Sequence, residues 1–250
     1  MELGSRTVGI LGGMGPLATA DLYRNIIEAT PAGRDQDHLH VVIDADPKIP
    51  DRTDALLGRG PDPLPRMIAA ARRLEAAGAG VVLMPCNTAH AFLPALRSRI
   101  GIPVLDMVAE GAAEVARDVP RARRVGLLAT AGTVMAGLYE RALERHDLMT
   151  INPDDDCQRL VSEGIAHVKA GSLDEASELF AKVASRLAEA GAEALIAGCS
   201  EIPIVFDESK APLPLIDPTR AVAKAAVRWA NEPADVTVNA AGFWSEAPVQ

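Results

Sequence analysis

Two cysteines of this chain stand in polar turns that follow short apolar runs, Cys86 in VVLMPCNTAH and Cys199 in ALIAGCSEIP. Each turn leads into a stretch able to start a helix. There the unpaired backbone N–H groups carry partial positive charge and make a thiolate easier to form than at the free-thiol pKa of about 8.5. A single thiol so placed is a nucleophile candidate. Two of them, aimed at one bound molecule from opposite sides, suit another chemistry. One removes a proton from carbon, the other delivers a proton to the far face, and the stereocentre inverts. Such a site rests with one thiolate and one thiol, and the pair exchanges states at each turnover. The remaining cysteine, Cys157 in DDDCQR, reads as a packed or surface-loop thiol with no chemical role.

The contexts of the two cysteines are duplicated. RLEAAGA, from Arg73, precedes Cys86, and RLAEAGA, from Arg186, precedes Cys199; one offset of 113 positions relates the cysteines, the arginines and the Gly-Ala pairs. TVGILGGMGPL, from Thr7, is echoed by RVGLLATAGTV, from Arg124, and IPVLD, from Ile102, by LPLID, from Leu213. Each half therefore runs strand with a small-residue loop, helix, strand ending in Cys, helix, strand ending in Asp. VGIL, VVLM, VGLL and ALIA are continuous apolar runs, as parallel strands buried on both faces require. The segments near 64–77 and 174–190 carry apolar residues at helical spacing and run into Gly, a helix-stop signal.

Strands alternating with helices imply right-handed βαβ units and parallel sheets. The expected fold is α/β, with two similar lobes related by a pseudo-two-fold, each a parallel sheet flanked by helices, and the active site between them. Residues 1–108 plus 215–231 are expected to form the first lobe and 109–214 the second, with 232–250 a flexible tail. Ligands of open parallel sheets bind beyond the carboxyl ends of the strands. Both cysteines sit at such ends, so two facing lobes bring both thiols to one cleft.

Composition narrows the remaining classes. With 250 residues, 48% of them hydrophobic and 24% charged, the chain can bury a core without disulfides or metals. A net charge of −9 argues against a nucleic-acid partner. Three scattered cysteines form neither a disulfide scaffold nor a zinc cluster. There is no secretory leader pattern and no apolar run near the roughly 20 residues that span a bilayer. A cytoplasmic protein with free thiols, and with no metal and no membrane partner, is the expectation.

Several local patterns stay open at this level. Gly13-Met-Gly15-Pro-Leu-Ala18 matches a relaxed dinucleotide fingerprint, but no acidic residue follows at about 20 positions, since Asp44 and Asp46 come later. A loop that touches substrate, with Met14 at its centre, is the preferred reading. His90, four positions after Cys86, either tunes the thiol or packs; a metal pair with Cys86 has no second-half counterpart, because Ile202-Pro203 stands there. Asn87-Thr88 and Ser200-Glu201 offer polar groups at helix starts, suited to a carboxylate or simply to capping. Thr130 and Thr133 occupy the second-half position of the GGMG loop and either hydrogen-bond substrate or start a helix.

PCNTAH with GCSEIP, GILGGMGPLAT and KIPDRT, in that combination, resemble the aspartate racemase branch of the Asp/Glu racemase family, over roughly residues 6 to 230. The resemblance implies a homodimeric enzyme that needs no cofactor and interconverts the enantiomers of aspartate, or in some relatives glutamate. It makes Cys86 and Cys199 the catalytic pair and gives Arg52 and Lys169 to a substrate carboxylate. Met14, Asn87, Thr88, Thr130, Thr133, Ser200 and Glu201 complete the expected substrate contacts. One departure bears on specificity: Asp44-Ala45-Asp46 stands where the family places asparagines. A carboxylate facing the pocket would repel an acidic substrate and favour a less acidic amino acid. GCSE in place of the more usual GCTE keeps the hydroxyl. Maleate isomerases, arylmalonate decarboxylases and hydantoin racemases rearrange the same cysteine geometry, and two-lobed α/β proteins also serve as non-catalytic receptors, so both remain alternatives.

Overall fold

The strands VGILG and ALIAG have every residue buried, because helices cover both faces of each sheet. They belong to β1 (Val8–Gly12) and β6 (Ala194–Gly198) of a chain that builds one topology twice. The first half continues through α1 (Pro16–Ala29), β2 (Val41–Ala45), α2 (Arg52–Leu56), α3 (Leu64–Ala76), β3 (Val81–Leu83), α4 (Leu93–Arg97) and α5 (Met107–Asp118). The second runs β4 (Arg124–Ala129), α6 (Ala131–Met135), α7 (Leu138–Glu144), β5 (Met149–Ile151), α8 (Asp155–Ala170), α9 (Leu173–Glu189), β6, β7 (Leu215–Ile216) and α10 (Pro218–Asn231). This computed structural model describes residues 6–231 and the backbone of two short antiparallel strands, Thr237–Val238 and Trp244–Ser245. The flexible tail expected over 232–250 otherwise lies outside the described residues.

The first sheet has the order β2-β1-β3, all parallel, and Val104 of IPVLD adds a single parallel bridge to Val82. The second has the order β5-β4-β6-β7, also parallel. The two sheets are therefore equivalent strand for strand, as the internal repeat requires. The approach to each cysteine is equivalent too. α3 ends at Gly78 with φ 87°, and α9 at Gly191 with φ 93°, a backbone that side chains rarely tolerate. In both, the N–H beyond the glycine returns to a carbonyl five residues back, Ala79 to Leu74 and Ala192 to Leu187, each at 3.0 Å. Two identical stops launch β3 and β6 at matching heights.

The lobes exchange their last helices. α5 follows the first sheet, is capped by Asp106 accepting from the Val108 and Ala109 N–H groups at 3.1 Å, and packs Ala112 and Val115 beside Val125, Leu127 and Tyr139 of the second lobe. α10 follows the second sheet and packs Val222 and Ala226 beside Val8, Ile10 and Leu22 of the first. The two helices also meet each other, where Lys224 donates to the buried Glu114 at 2.6 Å and Arg228 to Glu110 at 3.0 Å. Residues 215–216, expected with the first lobe, are hydrogen-bonded into the second sheet as β7; only the helix that follows them crosses. The reason is geometric: LPLID completes the second sheet as IPVLD completes the first, and the crossing begins at the Asp that ends each motif. Among the described residues, no helix is long and apolar enough to cross a membrane.

Candidate active site

The carboxyl ends of β1 and β3 face those of β4 and β6, and the loops beyond them enclose a narrow cavity. Cys86 and Cys199, each only 6% exposed, both line it. A wider vestibule, walled by Pro16, Leu17, Ile49 and Val168, shares Asp51, Arg52, Lys169 and Glu201 with that cavity.

The turn holding Cys86 is braced by His90. His90 Nε2 accepts from the Met107 backbone N–H at 3.1 Å, which leaves Nδ1 as the protonated nitrogen facing the Cys86 carbonyl at 2.9 Å. Both ring nitrogens are thus committed, and His90 ties the cysteine turn to the start of α5. That answers the open question about this histidine: it packs and positions, and has no lone pair left for a metal. Among the described residues, no group of three or more His, Cys, Asp or Glu side chains could hold a metal ion.

Arg52 stands beside Cys86. It donates to the carbonyls of Ile49 at 3.3 Å, Pro50 at 3.0 Å and Met14 at 3.1 Å, while its buried Nε has no partner. Burial works against its charge, but the facing Cys86 thiol, Asp51 and Glu201 outweigh burial and raise its pKa. The bond to Met14 fixes the GGMG loop. Gly13, at φ 88°, lies so close to the Asp46 backbone that a Cβ would come within 2.4 Å, and its N–H is already given to Thr19 Oγ1 at 2.9 Å. An N–H spent in this way cannot cradle a phosphate, which removes the chief attraction of the nucleotide fingerprint.

Cys199 meets the opposite charge. Its Sγ donates to Glu201 Oε2 at 3.0 Å, and Ser200 Oγ crosses between the lobes to the Pro85 carbonyl at 2.9 Å. Burial, then the Glu201 carboxylate, then charge on Cys86 push the Cys199 thiol well above its ordinary range. Glu201 was expected among the groups suited to a substrate carboxylate; as a carboxylate bound to the thiol, it suits a proton or an ammonium instead.

The expected threonines come together across the lobes. Thr88 Oγ1 lies 2.8 Å from Thr130 Oγ1 and 2.9 Å from Thr133 Oγ1, and Thr130 Oγ1 accepts from the Thr133 N–H at 3.1 Å. Thr88 and Thr130 line the cavity, whereas Thr133 is fully buried behind them. Lys169, on the exposed last turn of α8, lines both cavity and vestibule. Asn87, 2% exposed, lines the cavity with its Nδ2 unpartnered and its Oδ1 bound at 2.5 Å to the hydroxyl of Tyr139.

Asp44 and Asp46 turn out to face away. Asp44 pairs with Arg73 at 2.6 Å and Asp46 with Arg66 at 3.0 Å, on the α3 side of the sheet. The Lys48 N–H, followed by Arg66, holds Asp46 below the usual carboxylate range. The repulsion expected from these two carboxylates is absent because neither lines the cavity, which Asp51 and Glu201 do. Cys157 is buried in the second-lobe core among Val161, Phe180 and Leu187, away from the site, and Arg186 reaches its sulfur at 3.8 Å.

Sequence reasoning passed over Asp51 and Thr53, which line the cavity from α2 and its cap, and Tyr139 behind Asn87. KIPDRT contained the first two. For Tyr139 there was only an ambiguous hint, since GLYER in the second half echoes DLYRN in the first, and there Tyr23 is 41% exposed.

Two parallel α/β lobes with a cysteine from each on one polar cavity define the class of two-lobed α/β racemases. The chain belongs to the Asp/Glu/Hydantoin racemase family, which it matches over residues 11–226. It is 26% identical over 225 residues to the broad specificity amino-acid racemase RacX of Bacillus subtilis, covering 88% of this chain and 96% of that protein. The structure of Picrophilus torridus aspartate racemase superposes with a TM-score of 0.82 at 30% identity, covering 91% of this chain and 95% of that one. Glutamate racemase from Francisella tularensis, solved with D-glutamate, shares the fold with a TM-score of 0.67 at 19% identity, over 90% of this chain and 81% of that one.

Proposed function

We propose that this chain racemises a small acidic amino acid, aspartate or a close relative, without a cofactor, using Cys86 and Cys199 as two opposed proton carriers. The observation that carries this reading is the shared cavity: thiols from equivalent strands of two lobes border one enclosed space. Arg52 and Lys169 supply cations to that space, and Asp44 and Asp46 are turned out of it.

The α-carbon sits between the sulfurs. One thiolate takes the α-proton, and its electron pair stays on carbon, delocalised into the α-carboxylate. The opposite thiol then gives its proton to the other face of the carbon, so the two cysteines end with states exchanged. The α-proton is so weakly acidic that the growing negative charge must be met by fixed donors in a water-poor site. The unpartnered Nε of Arg52, Nδ2 of Asn87 and the hydroxyls of Thr88 and Thr130 are suited to that task. In the unliganded site Cys199 Sγ donates to Glu201, and Arg52 stands beside Cys86. We assign the working form as a homodimer, in keeping with the family resemblance, and sedimentation checks it.

Incubation of the purified chain with L-aspartate in deuterated water, with no added cofactor, should give D-aspartate carrying solvent deuterium at the α-carbon. Full activity surviving in either Cys86→Ala or Cys199→Ala would defeat the two-base scheme. Running glutamate, alanine and serine beside aspartate ranks the substrates, and inactivity on all of them rejects the racemase reading.

A further inference from the structure

Asn87 has two faces, and only one can be offered to a ligand. Its Oδ1 lies 2.5 Å from the Tyr139 hydroxyl, while its Nδ2 is buried, lacks a partner and belongs to a side chain that lines the cavity. Tyr139 comes from α7 of the second lobe and Asn87 from the cysteine turn of the first, so the bond also crosses between the lobes. Tyr139 is itself completely buried. Burial, with Asp106, Asp217 and Cys199 adding to it, pushes its phenol well above the ordinary range, so it remains a proton donor.

Asn87 Oδ1 is the acceptor for that hydroxyl. Were the amide turned over, Nδ2 would donate to the phenol oxygen, and the buried phenol proton would be left without an acceptor. The orientation that satisfies the phenol leaves an unpartnered N–H pair on a side chain that lines the cavity.

We propose that Tyr139 is a positioning residue that locks the Asn87 side-chain amide with Nδ2 toward the ligand, so that the site takes a carboxylate oxygen there and discriminates against a carboxamide. This deepens the proposed function and rests on its reading that the cavity receives an amino acid with carboxylates. Tyr139 touches no substrate; its effect passes through Asn87.

Tyr139→Phe keeps the ring and removes only the hydroxyl that holds the amide. The freed amide can then turn and present Oδ1 to a ligand N–H. Four proteins separate this from a general loosening: the unaltered chain, Tyr139→Phe, Asn87→Ala and the double variant. Calorimetry reads the affinity of each for succinate and for succinamate, in which one carboxylate is a carboxamide. Thermal melting verifies that all four are folded.

The unaltered chain should prefer succinate, and Tyr139→Phe should narrow that preference by about tenfold, the size of one hydrogen bond to a charged group. In the Asn87→Ala background, Tyr139→Phe should change neither affinity. With L-aspartate, the single variant should raise KM and leave kcat within about threefold. An unchanged succinate-to-succinamate ratio in Tyr139→Phe, or an equal loss with and without Asn87, overturns the assignment. Tight, discriminating succinate binding by a chain that racemises nothing would instead sink the proposed reaction and leave Tyr139 in its role. No succinate binding by the unaltered chain overturns both.

Discussion

The first lobe places a cation beside its cysteine, and the second places an anion beside its own. Arg52 stands against Cys86, and Glu201 accepts from Cys199 at 3.0 Å, although the strands, helix stops and offsets that deliver the two sulfurs are equivalent. Lys169, in the connection equivalent to that of Arg52, is exposed at the mouth while Arg52 is half-buried and bound to three carbonyls. Duplication thus built a symmetric pair of thiols, and divergence surrounded them with unlike charges.

The physics of the proposed reaction asks for both. Mirror-image substrates differ by which face of the α-carbon bears hydrogen, so the proton carriers must be matched. The carboxylates and the ammonium must be held the same way in both enantiomers, so the groups that hold them cannot be matched. The carboxylate beside Cys199 also favours its protonated form, which suits the one thiol the resting pair requires.

Removing the cation should break the comparison most severely. Arg52→Ala takes away a carboxylate anchor, the neighbour of Cys86 and the tie to the GGMG loop at once. A fall in kcat/KM of about 10²–10³ is expected, the cost of losing one preorganised donor at developing charge, measured as racemisation of either aspartate enantiomer. A loss under about threefold would show that the neighbours of Cys86 are not what distinguishes it.

Neutralising the anion should sharpen the comparison with a smaller loss, about tenfold, below the roughly 10²–10⁴ of a group that itself transfers the proton. Glu201→Gln removes the second-largest influence that raises the Cys199 pKa, burial being the first. Cys199 then ionises at lower pH. For the enantiomer on which Cys199 acts as acid, the alkaline limb of kcat/KM retreats to lower pH; for the one on which it acts as base, the acid limb extends to lower pH. Both shifts run the same way along the pH axis, with opposite effects on activity. pH profiles measured separately from L- and D-aspartate check this, and unmoved limbs would detach Glu201 from the thiol.

The smallest effect is expected at Asp44 and Asp46. Both form ion pairs on the outer side, with partners more than half exposed. Asp44→Asn and Asp46→Asn should leave KM for aspartate within about twofold, as for surface changes in general. A large gain in affinity would mean that these carboxylates act on the cavity after all.

Much of the molecule could be read without coordinates. The repeat set the strand order, Gly78 and Gly191 marked the helix stops, and the cysteine motifs identified the two turns that meet. Other features were hidden for identifiable reasons. Asp44 and Asp46 are two apart on extended chain and so share a face, but period two does not say which face; Arg66 and Arg73 on α3 decided it. His90 could tune a thiol or pack until Met107 took one nitrogen and the Cys86 turn the other. Tyr139 and Tyr23 stand in similar sequence, yet α5 helps bury the first while the second remains 41% exposed.

What the sequence determined alone was the periodic and local part: buried strands, helix lengths, caps and the twofold recurrence, because these depend on neighbours a few residues away. Tertiary structure decided the charge next to each sulfur, the exchange of α5 and α10, and which atom of Asn87 is held by Tyr139. Those follow from contacts such as Tyr139 with Asn87, 52 positions apart, and no pattern along the chain records which of two polar ends such a partner will hold.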